Sequence, residues 1–259
     1  MLNKARKTAL AAMALSALAL TACGGGDTEA SDSGLGLVSE GSLTVCSDIP
    51  YPPFEFEENG EYTGFDIDLI REIASGMGLE LDVQKQGFEA IQGGTAVSAG
   101  MCDLNVSAIT ITPERQENLE FSDPYYESLQ TLLVPTGSDI KGIADLGGKS
   151  VGVQQSTTGA AYAQENVKDA EIIEFPSDGE LFQAIQAGNI NAILQDIAVN
   201  TDHTKEGAFE IVEEYETGES YGFAAKKGNT ALIEDINAQL TELRDNGKYQ
   251  EIYDAYFAE

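Results

Sequence analysis

Tryptophan is missing from this sequence, and histidine occurs once, as His203. A histidine-based metal cluster and a histidine-rich catalytic centre are thereby excluded, so neither a metal nor a cofactor is expected. Basic residues are scarce. Lys and Arg number 14 against 44 Asp and Glu, for a formal net charge of −30. Such a balance argues against nucleic acid as a partner and against electrostatic docking on anionic lipid. Its plain structural meaning is a solvated, soluble surface. Long apolar runs are lacking too. The one at residues 9–20, broken by Ser16, is too short for a comfortable transmembrane helix. What remains is 259 residues, 42% of them hydrophobic. That is enough for one large domain or two lobes of roughly 100 residues each.

The apolar run follows Lys4, Arg6 and Lys7 and precedes Leu20-Thr21-Ala22-Cys23. A basic start and a short apolar core define an export signal. The Leu-x-Ala-Cys ending resembles the lipobox of bacterial lipoproteins. That resemblance implies a signal peptide over 1–22, a lipid on Cys23, and anchorage on the outer face of the cell membrane (or its periplasmic side, where the envelope has two membranes). An ordinary secretory signal with an incidental cysteine is the alternative. Residues 23–41, rich in Gly, Ser and acids and without periodicity, read as a flexible tether. Two cysteines remain, Cys46 and Cys102, each in a short apolar segment. An exported chain permits a disulfide between them if their segments are neighbouring strands. A pair of buried thiols is the other reading.

Beyond the tether the sequence alternates strand and helix signals. Strands are expected at 42–47, 79–83 and 103–108. Asn59-Gly60 marks a hairpin. A helix opens near Gly64-Phe65, with Leu69, Ile70, Ile73, Ala74 and Met77 on one face and Asp66 and Asp68 at its positive end. This βαβαβ run predicts a mostly parallel sheet covered by helices, with a ligand site beyond the carboxyl ends of its strands. A second such unit follows: a short helix at 140–146, strands at 150–153, 172–175, 191–195 and 209–212, and helices at 160–166 and 177–187. Residues 131–134 and 221–225 look like crossing strands, and two helices close the chain at 230–245 and 249–257. The layout is α/β with two lobes. Lobe 1 comprises 42–126 and 222–259, lobe 2 comprises 127–221, and crossovers lie near 127–134 and 218–225. A double crossover suits a hinged clamp.

One stretch carries a chemical anomaly. Thr112 and Pro113 read as the cap and first residue of a helix, which puts Arg115 in its first turn. A cation there opposes the helix dipole, whereas a bound anion would reverse the sign. A solvated arginine paired with Glu114 or Glu117 is the structural alternative. Thr157 or Thr158 caps a second exposed helix start, and Asp196 follows directly on a strand.

The motifs DIPYPPFEF, GFDIDLIREIA, ITITPERQENLEFSDPYY, DLGGKSVGVQQSTTG and NAILQD stand in this order between Asp48 and Asp196. In this they resemble the family 3 extracellular solute-binding proteins, which serve polar amino-acid ABC transporters. The match runs from about Gly41 to the C-terminus. It implies the two-lobed periplasmic-binding-protein fold of type II. It also implies that Arg115 takes the ligand α-carboxylate, with the amides of Thr110 and Thr158. Asp196 takes the α-ammonium, with the carbonyl of Ala108 and the Thr110 hydroxyl. Tyr51 and Phe88 flank the ligand side chain, and Asp48, Ser107, Gln154 and Gln195 line its polar end. Each has a structural alternative: core aromatics for Tyr51 and Phe88, a helix cap for Asp196, a turn residue for Asp48, surface amides for Gln154 and Gln195.

Two aromatic faces with Asp48 suit a cationic side chain. A basic amino acid such as arginine, lysine or histidine is therefore favoured, with glutamine next. The implied partners are an ABC permease with its ATPase subunits, and a monomer is expected. Two other classes fit the fold, a dehydratase-like enzyme and a sensory amino-acid-binding module. An enzyme needs a positioned acid or base. The carboxylates are accounted for by binding and His203 reads as solvated in a polar loop, so no enzymatic activity is expected. No signalling segment is expected after Glu259.

Overall fold

The computed structural model of the chain describes residues 34–258. The expected signal segment 1–22 and the lipidation site Cys23 lie outside the described residues. The elements run in the order β1 Ser42–Ser47, β2 Phe56–Glu58, β3 Glu61–Thr63, α1 Phe65–Gly76, β4 Glu80–Lys85, α2 Phe88–Gln92, α3 Thr95–Ser98, β5 Leu104–Asn105, α4 Pro113–Asn118 and β6 Leu119–Phe121. Then come β7 Tyr126–Pro135, β8 Ser150–Gln154, α5 Thr158–Asn166, β9 Glu171–Phe175, α6 Asp178–Gln186, β10 Ala192–Asp196, α7 Ile197–Thr204, β11 Phe209–Tyr221, β12 Ala224–Lys226, α8 Thr230–Asp245 and α9 Lys248–Phe257.

Two five-stranded sheets result, ordered β4-β1-β5-β12-β6 and β11-β7-β10-β8-β9. Each has a parallel heart, β4-β1-β5 in the first and β10-β8-β9 in the second. Antiparallel strands flank both. Strand β1 is almost wholly buried because it is central and covered on both faces, and it holds Leu43, Val45 and Cys46 with only the small hydroxyl residues Ser42, Thr44 and Ser47 between and beside them. Its neighbour β4 is an edge strand and alternates between half-buried and exposed. Helices α1, α8 and α9 pack on one face of the first sheet, around Leu69, Ile73, Leu232, Ile236 and Leu240. In the second, Ala160 and Ala163 of α5 meet Val151 and Val153, while Leu181 and Ile185 of α6 meet Ile193 on the other face. The fold is mixed α/β with two sheets, as the sequence predicts.

The chain passes between the sheets twice, and both passages run side by side. Strand β7 leaves the first sheet and β11 returns to it. The two pair antiparallel from Tyr126↔Tyr221 to Pro135↔Phe209. Phe54, fully buried, anchors the base of this ribbon. Its ring packs edge-on against Phe65, Tyr126 and Tyr221 and tilted against Phe257, with centroids between 5.1 and 6.4 Å apart. The crossing strands thus emerge from an aromatic cluster belonging to the first sheet.

Several expectations need correction. The tether does not extend to Gly41. Leu35 is buried in the first core with Leu37 packed against it, and the Val38 amide donates to Asp103 at 2.6 Å. Two leucines two residues apart outweigh the polar composition around them. The helix expected at 140–146 is only a 3-10 turn, Ile143–Asp145. Strands expected separately at 209–212 and 221–225 become one long strand and a short one. The intervening Glu-rich stretch continues the ladder through two register shifts. The hairpin forms as predicted, with Asn59 and Gly60 both at positive φ, as a tight two-residue turn requires.

Cys46 and Cys102 are joined in a disulfide with Cα atoms 5.7 Å apart. Pairing of β1 with β5 brings their segments together. The bridge closes a loop with a sequence separation of 56, which on chain-entropy grounds stabilises the fold by about 4 kcal/mol. Urea denaturation of the oxidised and reduced protein checks this. A lower midpoint after reduction is expected, and superimposable curves would contradict it.

Candidate functional site

The loop from β5 to α4 builds the first half of the site. Ala108 sits at φ 44, in the left-handed region that a residue with a Cβ rarely adopts. Thr110 then bridges to Tyr221, and Thr112 caps α4 by accepting from the Arg115 amide at 3.1 Å. The cap and Pro113 stand as predicted. Helix α4 has only six residues, so little macrodipole opposes or assists Arg115. The arginine is not solvated, and it pairs with neither Glu114 nor Glu117. It is buried, and its guanidinium donates to the Thr110 carbonyl at 3.0 Å and the Ser156 carbonyl at 3.1 Å. It lies over the Phe88 ring, 5.3 Å from the centroid. Burial pulls its pKa down, while the charges of Glu219 and Asp196 pull it back up. Two of its five donors are accounted for by these backbone carbonyls.

The second half comes from the strand ends of the other sheet. After β8 the chain turns through Ser156 at φ 64. Thr157 caps α5, accepting from the Ala160 amide at 3.0 Å. Thr158, the first helical residue, faces the crevice. Asp196 ends β10 and occupies the cap position of α7, yet makes no capping bond. Its carboxylate instead accepts from the Tyr51 hydroxyl at 2.5 Å and the Gln130 amide at 2.7 Å. Burial, then the nearby Glu219 charge, push its pKa up to about 7. Burial likewise raises Asp48 to about 6, although the Gln154 amide donates to it at 2.7 Å.

The two halves meet closely. Tyr51–Asp196, Gln154–Asp48 and Arg115–Ser156 all bond across from one sheet's territory to the other's. They close over a narrow crevice between the two sheets. Asp48, Tyr51, Phe88, Ser107, Ala108, Thr110, Arg115, Gln154, Thr158 and Asp196 line it, together with Thr157. Gln195 does not. Its amide turns to Asp178 at 2.9 Å, placing it one layer behind the wall. The same carboxylate oxygen lies 3.0 Å from His203 Nε2. His203 is therefore not a solvated loop residue. It is buried in α7, with its ring stacked on Phe182 at a 3.7 Å centroid distance. One aromatic partner and one buried acid hold it inside, and neither is adjacent in sequence. Among the described residues no group of three or more His, Cys, Asp or Glu side chains is placed to hold a metal.

Sequence reasoning missed three features. Glu219 and Gln130 reach the site from the crossing strands and are both buried. Glu55 and Asp66 form a buried carboxyl pair beneath the Ser107–Ala108 backbone. Ser107 Oγ donates to Glu55 at 2.5 Å, and Asp66 accepts from the Ala108 amide at 2.8 Å and the Tyr125 hydroxyl at 2.7 Å. The helix dipole is thus not the explanation of Asp66. Burial drives both carboxyls up, Asp66 to about 7 and Glu55 well above its ordinary range, with the charge of Asp66 adding to the rise of Glu55. Only the adjacency of these acids to prolines, aromatics and Gly64 hinted at burial.

Comparison with known proteins gives a consistent result. A family profile described as bacterial extracellular solute-binding proteins, family 3, matches residues 43–259. The ABC transporter glutamine-binding protein of Bacillus subtilis is 34% identical over 206 residues, covering 78% of this chain and 75% of that protein. A probable histidine-binding protein of Neisseria gonorrhoeae is 30% identical over 263 residues, covering 98% and 96%. A solved ancestral arginine-binding protein bound to glutamine superposes with a TM-score of 0.81 at 37% identity, covering 85% of this chain and all of that one.

The carboxyl pair generates a pH prediction. The native pKa of Asp66, about 7, lies above the ordinary 3.8 of an unfolded chain. The native state then holds more protons in that window, so stability falls as pH rises from about 4 to about 7 and levels off above it. Asp66→Asn removes one contributor and should flatten this decline. Urea midpoints at about pH 5 and about pH 8 read the difference. An offset between variant and wild type that does not change with pH would contradict the assignment.

Proposed function

The chain belongs to the bacterial extracellular solute-binding proteins of family 3, and from that premise we propose that it captures a polar L-amino acid between its two lobes and delivers it to an ABC importer. The observation that carries the reading is a buried guanidinium, Arg115, and a half-buried carboxyl, Asp196, held on opposite lobes of one crevice. A zwitterion is the ligand that answers both. Either charge left unpaired away from water is costly, so each needs a counterpart.

In this reading the α-carboxylate takes the free donors of Arg115 and the amides of Thr110 and Thr158. The α-ammonium takes Asp196, the Ala108 carbonyl and the Thr110 hydroxyl. Tyr51 and Phe88 flank the side chain, and Asp48, Ser107 and Gln154 meet its far end, with Gln195 supporting from behind through Asp178. Asp48 and the Phe88 face favour a basic side chain, with glutamine next. Relatives that bind glutamine, histidine and arginine bracket the same range. The β7–β11 ribbon is the hinge between lobe 1 (42–126 and 222–259) and lobe 2 (127–221), and the conformation described is the closed one. The chain acts as a monomer without enzymatic activity. It is exported and held at the membrane by lipid on Cys23, with an ABC permease and its ATPase subunits as partners.

Titration calorimetry against the twenty amino acids tests the function. Binding of at least one is expected, and none binding would sink the reading. Arg115→Ala should weaken the best ligand by at least about a thousandfold with the far-UV circular dichroism unchanged. Retained tight binding would refute the carboxylate assignment. Affinity should also fall as pH is lowered from about 8 to about 5, because the ammonium must displace the proton that burial keeps on Asp196.

A further inference from the structure

Glu219 lies in a stretch of β11, Glu213-Glu-Tyr-Glu-Thr-Gly-Glu219, that has the composition of a solvated edge. It is nonetheless only 7% exposed. Gly218, at φ 64, precedes it, and the pairing with β7 shifts register between Tyr215 and Glu219. Irregularities of this kind re-aim a side chain. Here the carboxylate is turned to the wall of the crevice.

Its contacts there have a specific polarity. One oxygen, Oε2, accepts from Thr110 Oγ1 at 2.9 Å and from Thr158 Oγ1 at 2.7 Å. The other, Oε1, accepts from the Gln130 amide at 3.1 Å, and the same amide nitrogen donates to Asp196 at 2.7 Å. The two threonine oxygens lie 3.4 Å apart, one from each lobe, and both residues line the crevice. A hydroxyl has one proton to give. With both protons committed to the same carboxylate oxygen, Thr110 and Thr158 offer the crevice only lone pairs. Two acceptor-only hydroxyls beside the Asp196 carboxylate suit an N–H donor and leave an oxygen or a C–H in that place without a partner.

Building on the amino-acid reading above, we propose that Glu219 is the positioning residue for α-ammonium recognition. It polarises the hydroxyls of Thr110 and Thr158 into acceptors and, through Gln130, fixes Asp196. The site thereby selects α-amino acids over acids that match them in every other group. Glu219 does not touch the ligand; it sets the hydrogen-bond direction of the residues that do.

The test is a ratio rather than an affinity. L-arginine and L-glutamine are titrated into the purified protein, each beside the same molecule with its α-amino group replaced by hydrogen. Wild type should prefer the amino acid by at least about a hundredfold. Glu219→Gln presents an NH₂ that donates to the threonines and reverses their polarity. It should cut that preference by about tenfold or more, with the deamino acid bound as well as before or better. A loss shared equally by both compounds, or an unchanged ratio, overturns the role of Glu219 and leaves amino-acid capture standing. Wild type binding neither amino acid overturns both. Should Glu219→Gln not fold, Thr158→Val removes one of the two acceptors and must lower the same ratio; a ratio it leaves unmoved also overturns the proposal.

Discussion

A guanidinium taken out of water has to be met by something. Arg115 is met by two backbone carbonyls and one aromatic face, and no carboxylate among the described residues lies within ion-pair distance of it. Asp48, Asp196 and Glu219 stand around the crevice and are bonded to neutral donors instead. Opposite charges are therefore held near each other without collapsing into a pair. The Thr112 cap, the left-handed turn at Ala108 and the Gln130 amide all serve that separation. A pair formed internally would be more stable and would leave nothing to recognise.

Where the chain crosses between sheets follows from the same requirement. Arg115 lies beyond the end of one sheet and Asp196 at the end of the other, so the crevice they line exists only where the two sheets' territories meet. The paired β7–β11 ribbon connects them, and its base is fixed in the Phe54 aromatic cluster. Residues on the ribbon itself, Gln130 and Glu219, stand behind the crevice wall and bond to Asp196, Thr110 and Thr158, which line it. The ribbon that joins the two sheets thus also supports the wall. The Thr110–Glu219 and Tyr51–Asp196 bonds both cross between the two sheets' territories, so separating the sheets would break them together and release the Thr110 hydroxyl from Glu219.

Much of this was legible from local chemistry. Thr112, Pro113 and Arg115 are neighbours in sequence, so cap, first helical residue and misplaced cation could be read off directly. The strand ends at Asp48, Gln154 and Asp196 were visible because apolar runs stop there. What was not legible depended on distant partners. Glu219 looks like one more acid in a run of acids, and only Gly218 and a register shift turn it inward. His203 needed Phe182 and Asp178 to become a core residue. The resemblance implies Gln195 at the polar end of the crevice, but consecutive strand residues face opposite ways, and next to Asp196 its amide goes to Asp178. Leu35 and Leu37 were hidden by the glycines and acids around them.

The most direct measurement of the central claim is a crystal structure of the protein with its best-binding amino acid. The account predicts the α-carboxylate on the Arg115 guanidinium and the α-ammonium within hydrogen-bond distance of Asp196, with both lobes in contact with the ligand. A ligand bound to one lobe alone, or with its carboxylate turned away from Arg115, would contradict it.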